Sequence, residues 1–128
     1  MTSRQQSERH GRTAEALAMM YFRLTGHRIL ARRWRGHAGE IDLVARRWKV
    51  VIFCEVKFRR QAEDGGLPSP QQRRRICRAA EEFMSRHHLS DKIGWRFDLV
   101  QISPPFRGNI LPVRHLRDAW RCDGRSGP

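Results

Sequence analysis

Apolar and polar residues alternate most clearly between Gly39 and Arg59, in GEIDLVARRWKVVIFCEVKFR. With a period of two, Glu40, Asp42 and Val44 share one face of a strand Glu40–Ala45. Phe53, Glu55 and Lys57 share one face of a second strand, Val50–Phe58, whose apolar and β-branched content suits a central position. Arg46-Arg47-Trp48-Lys49 reads as the turn between them. Upstream, His27–Arg35 reads as a strand with Ile29 and Leu30 set among basic residues, and Gly36-His37-Ala38-Gly39 as a break. Downstream, Gly94–Ile102 puts Trp95, Phe97 and Leu99 on one face and Arg96 and Asp98 on the other.

A helical period governs two further segments. Leu17, Met20, Tyr21 and Leu24 recur at i, i+3, i+4 and i+7 between a cap at Thr13 and a stop at Gly26. Ala14, Ala18 and Phe22 add a second apolar face, so this helix is expected to be covered on more than one side. Glu15, the one charge between Thr13 and Phe22, is then either a part-buried carboxylate in need of a partner or a charge that complements the helix dipole. After a Gly, Pro and Ser-rich loop, Gln61–Pro70, a helix Gln71–His88 carries Ile76, Ala80, Phe83 and Met84, backed by Ala79. Ser103–Asn109 turns the chain, Ile110–Val113 reads as a short edge strand, and His115–Trp120 as a last helical turn.

The order is helix, three strands, helix, strand and a short fifth strand. Three strands in succession can meander, and a strand that returns after a helix suits a crossover and a mixed sheet. The expected fold is α/β, a mixed central sheet of four to five strands flanked by helices. The chain divides into a flexible arm over 1–11, one domain over 12–120 and a flexible tail over 121–128.

Composition changes the picture in one respect. Lys and Arg number 26 against 13 Asp and Glu, a net charge of +13. That excess favours a polyanionic partner, nucleic acid before a membrane surface. Unbroken apolar runs such as Val50–Cys54 are far below the roughly 18 residues of a membrane span. Cys54, Cys77 and Cys122 are odd in number and show no C-x-x-C spacing, which argues against a disulfide framework and a zinc knuckle and makes a reducing cytoplasm the default. Arg73, Arg74, Arg75 and Arg78 crowd the first half of the second helix, where positive charge opposes the helix dipole, so an external anion is a reasonable partner for them.

The hairpin is where charge becomes chemistry. If Arg47 and Trp48 are its two turn residues, Asp42 faces Phe53 and Glu40 faces Glu55. Asp42 and Glu55 are then diagonal neighbours, with backbones roughly 7–8 Å apart, a span two side chains can close on one ion. Like charges gathered on a sheet destabilise it, and a divalent cation compensates. Carboxylate oxygens suit Mg²⁺ or Mn²⁺. Lys57, two residues past Glu55, reaches the same water or phosphate, an arrangement that supports phosphodiester hydrolysis. Taken alone, E-x-K equally describes a salt bridge at a strand end.

Asp42 followed by Glu55-Val56-Lys57 on the next strand resembles the PD-(D/E)xK, restriction-endonuclease-like superfamily. More narrowly, the chain resembles the bacterial YraN-type family of predicted endonucleases, itself similar to archaeal Holliday-junction resolvases. The residues that carry this are Gly11–Glu15, Gly39–Ala45, Phe53–Arg59, Arg75–Ala80 and Arg96–Asp98, within a span of residues 11–120. Ile41 stands where the superfamily motif has its proline. The resemblance implies a restriction-endonuclease-like fold and a metal-dependent nuclease core. It matches Asp42 and Glu55 to metal ligands, Lys57 to the catalytic lysine, Glu15 to the helix carboxylate that completes the metal site, and Glu40 and Arg59 to flanking positions. Gln72 stands where a basic residue is expected and resembles instead the motif-IV glutamine of some relatives, a supporting position at the site.

The leading expectation is a cytoplasmic Mg²⁺- or Mn²⁺-dependent endonuclease acting on DNA in preference to RNA, branched DNA included. A resolvase-like cut of two strands would need a homodimer. The alternative is a nucleic-acid-binding protein of the same fold with little turnover, resting on Arg73, Arg74, Arg75, Arg78 and the basic strand Arg28–Arg35. A third reading directs the charge at an acidic protein or at lipid, and lacks the amphipathic membrane helix that lipid would require.

Overall fold

The computed structural model describes residues 2–59, 66–89, 91–103 and 113–122. Among these the chain runs through helix α1 (Ser3–Leu24), strands β1 (Arg28–Arg35), β2 (Glu40–Arg47) and β3 (Val50–Phe58), helix α2 (Pro70–Arg86), and strands β4 (Gly94–Ile102) and β5 (Val113–Trp120). The strands form one sheet in chain order, β1-β2-β3-β4-β5. β3 and β4 are parallel and every other neighbouring pair is antiparallel. A parallel pair needs a crossover between its strands, and α2 lies in that connection. The α/β expectation holds: a mixed five-stranded sheet flanked by helices.

Alternation along the strands builds two cores. Val51 and Phe53 of β3 join Val44, Phe97 and Trp120 and pack with Ile76, Ala79, Ala80 and Phe83 of α2. Ile52 and Cys54 join Leu43, Ala45, Val100 and Ile102 and pack with Ala14, Ala18 and Phe22 of α1. Phe83 anchors the first core, with Phe53 and Trp34 rings edge-on at 5.7 and 5.3 Å. Truncating such a buried aromatic typically costs about 3–5 kcal/mol.

The N-terminal helix differs from its expected form in start and in orientation. It begins at Ser3, and Thr2 rather than Thr13 is its cap: Thr2 Oγ1 accepts the Gln5 N–H at 3.1 Å, and Gln5 Oε1 accepts the Thr2 N–H at 2.9 Å. Residues 3–11, read from sequence as an arm, are therefore helical, because a T-x-x-Q capping box and good helix formers need no apolar stripe. The helix buries one side only. Ala14, Ala18 and Phe22 are at most 1% exposed, while Met20 and Leu24 are 56% and 79% exposed. The alanines let the helix lie close on the sheet; of the Leu17, Met20, Tyr21 and Leu24 stripe, Leu17 and Tyr21 pack at the margin of this core while Met20 and Leu24 face outward.

The β2–β3 turn falls one residue later than expected. Arg47 pairs with Val50 and Leu43 with Cys54, so Trp48 and Lys49 form the turn. Trp48 takes a positive φ of 52°, which suits the twist of a two-residue hairpin, and Arg46 Nε donates to its carbonyl at 2.8 Å. Facing positions shift by two, which keeps each side chain on its expected face and changes its partner.

β5 replaces the expected helical turn over His115–Trp120. It pairs with β4 from Ile102↔Val113 to Phe97↔Trp120 through an irregularity between Phe97 and Leu99. The cause is Asp98, fully buried on β4. Its carboxylate accepts from Arg96 Nε and Nη2 at 2.9 and 3.1 Å, from His115 Nε2 at 2.6 Å and from the Asp118 N–H at 2.9 Å. Asp118 adopts a φ of +52° within this arrangement. Burial alone would raise the Asp98 carboxyl; the bonds from His115, Arg96 and Asp118 outweigh it and hold it below its ordinary value. The other ring nitrogen of His115, Nδ1, hydrogen-bonds with the Tyr21 hydroxyl at 2.8 Å, which ties β5 to α1. The predicted strand Ile110–Val113 lies outside the described residues up to residue 112, as do most of the Ser103–Asn109 turn, residues 61–65 of the loop and residues 123–128 of the tail.

The cysteine expectation is also corrected. Cys77 of α2 and Cys122, just past β5, form a disulfide with Cα atoms 5.9 Å apart. Sequence spacing cannot reveal a pair brought together only when the last strand docks, and the cysteine count carries no information on compartment. Cys54 is buried, and burial pushes its thiol well up, so it does not compete in exchange. The disulfide spans 45 residues of sequence and should contribute roughly 2–4 kcal/mol. Thermal melting checks this: dithiothreitol should lower the transition of the wild type to that of Cys122→Ser and leave the variant unmoved.

Candidate functional site

The β2–β3 ladder stops at Leu43↔Cys54. Beyond it the Asp42 carboxylate, through Oδ2, accepts the Val56 N–H at 2.8 Å, so a side chain takes a donor the neighbouring backbone leaves. The observed register carries Asp42 to the position across from Glu55, not Phe53, and leaves Glu40 across from Arg35 of β1 rather than Glu55. Glu55 is 7% exposed, and Lys57 Nζ lies 3.2 Å from its Oε1. Asp42, Glu55 and Lys57 are therefore brought together where two strands part.

Their protonation follows from this geometry. Burial raises the Asp42 carboxyl to about 7, with the Glu55 charge adding to the rise, the Val56 N–H opposing it and Glu15 contributing further. Burial also raises Glu55, against the opposing charge and hydrogen bond of Lys57. Lys57 thus favours the ionised form of Glu55, and the proton resides on Asp42.

The remaining expected residues divide. Glu15 of α1 is near enough to raise Asp42, but its Oε1 is taken by Arg33 Nε at 2.6 Å. Glu40 is held by Arg35 Nη2 at 3.1 Å. Arg59 follows β3, and its N–H continues the pairing with β4 by donating to the Ile102 carbonyl at 2.7 Å. Gln72 sits in the first turn of α2, where its N–H donates to Ser69 Oγ, the helix cap, at 3.1 Å. The α2 arginines do not form one face. Arg73 and Arg74 line a hollow with Pro70, Cys77, Trp120 and Arg121. Arg75 packs its backbone on Gly39, where an added Cβ would come 3.2 Å from Arg75 Cβ and 3.4 Å from its carbonyl. Arg78 is exposed.

One residue beside the site was missed. Gln101 of β4 is buried and pairs in register with Lys57. The signal was present as a lone amide in an apolar strand, on the Leu99 face that meets Glu55.

Glu55, buried, and Asp42, half-buried, offer only oxygen donors, which fits a hard divalent cation that keeps water and phosphate oxygens as its other ligands. Among the described residues no group of three or more His, Cys, Asp and Glu forms a closed metal cage. Oxygen donors of this kind suit Mg²⁺ or Mn²⁺.

Comparison with known proteins agrees on the family. Residues 14–102 match Uncharacterised protein family UPF0102, a span that takes in Glu15, Asp42, Glu55 and Lys57. The chain belongs to the UPF0102 family. This is the YraN-type family that the sequence resembles. A UPF0102 protein of Paramagnetospirillum magneticum is 46% identical over 93% of this chain and 92% of its own length. UPF0102 proteins of Rhodopseudomonas palustris and Roseiflexus castenholzii are 44% and 35% identical over 88% and 84% of this chain, and over 83% and 90% of their own lengths. Among the described residues, no helix is long and apolar enough to cross a membrane.

A pH test probes the site without assuming an activity. Asp42 holds a proton in the folded state that the unfolded chain, with an ordinary value of 3.8, has released. Its contribution to stability is full below about pH 4 and is lost as pH rises through about 7. Urea midpoints in metal-free buffer should fall between pH 5 and pH 8 for the wild type and fall less for Asp42→Asn, which cannot ionise.

Proposed function

We propose that this protein is a Mg²⁺- or Mn²⁺-dependent endonuclease that hydrolyses phosphodiester bonds in DNA, on a restriction-endonuclease-like fold. The observation that carries the reading is the meeting of Asp42, Glu55 and Lys57 at the parting of β2 and β3, within a chain of net charge +13. Asp42 and Glu55 would hold the cation, with Glu15 in reach to join them. Bound there, the metal would supply charge neutralisation at the scissile phosphate and a lowered pKa for attacking water. Lys57, beside Glu55 and one-third exposed, is positioned to hold that water or to stabilise charge that develops on the phosphate. Gln101, next to Lys57, can orient the same groups. The arginines of α2 offer phosphate contacts away from the reacting bond. A cut of both strands at a DNA branch would use two copies related by a two-fold axis.

The alternative, DNA binding with little turnover, draws on one observation: Glu15 is engaged by Arg33, which leaves two carboxylates at the site. Cleavage of labelled linear, flap and four-way-junction DNA in Mn²⁺ separates the two. On the leading reading Asp42→Ala, Glu55→Ala and Lys57→Ala each lose about 100-fold or more in rate. Cleavage that survives both carboxylate substitutions would sink the proposal, and salt-sensitive binding indifferent to EDTA and to Lys57→Ala would favour the alternative.

Metal binding has its own signature. Since the proton on Asp42 must leave before a cation enters, Mn²⁺ binding at pH 6 should release close to one proton. Calorimetry in buffers of different ionisation enthalpy measures it, and the release should vanish in Asp42→Asn.

A further inference from the structure

Between α1 and β1 runs a groove of about 320 Å³, lined by Arg12, Glu15, Ala16 and Met19 from the helix and Arg32 and Arg33 from the strand. Three guanidinium groups share it with one carboxylate. Neighbouring residues of a strand ordinarily point to opposite faces. Arg32 and Arg33 line the same groove, and Arg33 has a φ of +48°, in the left-handed region that non-glycine residues seldom occupy. Arg32 pairs with Leu43 and Trp34 with Ile41, so the distorted residue falls across from Asp42. Backbone strain of this kind persists where surrounding structure enforces it, and it concentrates at functional positions.

The pairing within the groove is uneven. Arg33 is bound to Glu15. Arg12 and Arg32 are both exposed, and among the described residues neither has a carboxylate partner. Guanidinium groups bind phosphate through parallel N–H donors, and such contacts fix the position of a strand without reading its sequence. Glu15 belongs both to this groove and to the surroundings of Asp42.

We propose that the α1–β1 groove is a track for the DNA phosphodiester backbone, in which Arg12 and Arg32 each take a phosphate and lead the strand to the carboxylates of β2 and β3. Arg33 keeps Glu15 at the mouth of the track. This inference rests on the nuclease reading and assigns its substrate path to an edge of the sheet, away from the run of arginines that dominates the sequence.

The test uses fluorescence anisotropy with a labelled DNA duplex in EDTA, across a salt series. Arg12→Gln/Arg32→Gln is compared with Arg114→Gln/Arg117→Gln, which removes equal charge from exposed positions on β5, at the other edge. The groove pair should weaken binding at least tenfold and reduce the slope of log K against log salt by about two, and the β5 pair should weaken it less than threefold. Equal losses in the two variants, or none in the groove variant, would overturn the inference. Cleavage in Mn²⁺ separates it from the nuclease reading. A groove variant that binds and cleaves like the wild type removes the track and leaves the nuclease. A wild type that binds through the groove yet cuts no DNA keeps the track and removes the nuclease. A wild type that binds no DNA removes both.

Discussion

The site depends on a ladder that ends early. β2 and β3 pair from Arg47↔Val50 to Leu43↔Cys54 and then part, and Asp42 fills the opening by taking the Val56 N–H on its carboxylate. Had the ladder continued, that donor would have been occupied by backbone and the two acidic side chains pressed together as an ordinary cross-strand pair, an unfavourable one. The opening lets them share a buried space in which one keeps a proton and the other a lysine. Both carboxyl groups are raised by burial, so the pocket disfavours two negative charges and favours whatever cation reconciles them.

Around that opening the fold acts as a set of clamps. α1 lies close because Ala14 and Ala18 keep it close, which brings Glu15 toward Asp42. α2 is fastened to the β1–β2 turn by Glu82, whose Oε1 accepts the His37 N–H at 2.8 Å and whose Oε2 meets Arg86 at 2.6 Å. At the far edge, buried Asp98 draws in Arg96, His115 and the Asp118 backbone, and the disulfide joins the end of β5 to α2. A buried carboxylate with this many donors is costly to disturb, since removing it would leave Arg96 and His115 facing an empty acceptor position.

What the sequence disclosed follows from what is local. Alternation located β2, β3 and β4, and the helical period located α2, because each pattern is set by one buried face. The acidic and basic residues of the hairpin were legible as a group for the same reason: a register error of two keeps every side chain on its face. The register itself turned on Trp48, whose positive φ no propensity would assign to a tryptophan. β5 escaped because its strand character comes from its bonds to Asp98, which lies 17 residues before His115 and 20 before Asp118, and not from its own pattern. The disulfide escaped because docking, not spacing, brings Cys122 to Cys77. In α1 the Leu17, Met20, Tyr21 and Leu24 stripe suggested the core face, and Ala14, Ala18 and Phe22 occupy it.

The sheet follows chain order, with α1 and the first three strands preceding α2. Glu15, Asp42, Glu55 and Lys57, together with Arg12, Arg32 and Arg33, all lie within the first 57 residues. A chain leaving the ribosome therefore presents every charged group of the candidate site before the helix and strands that bury them have been made. Until β4 arrives, β3 is an open, apolar edge, the kind of surface that pairs with the wrong partner. The arginines of β1, Arg28, Arg32, Arg33 and Arg35, and those that end β2, Arg46 and Arg47, give this half-built sheet a strong like charge, which keeps nascent copies apart while the second half is completed.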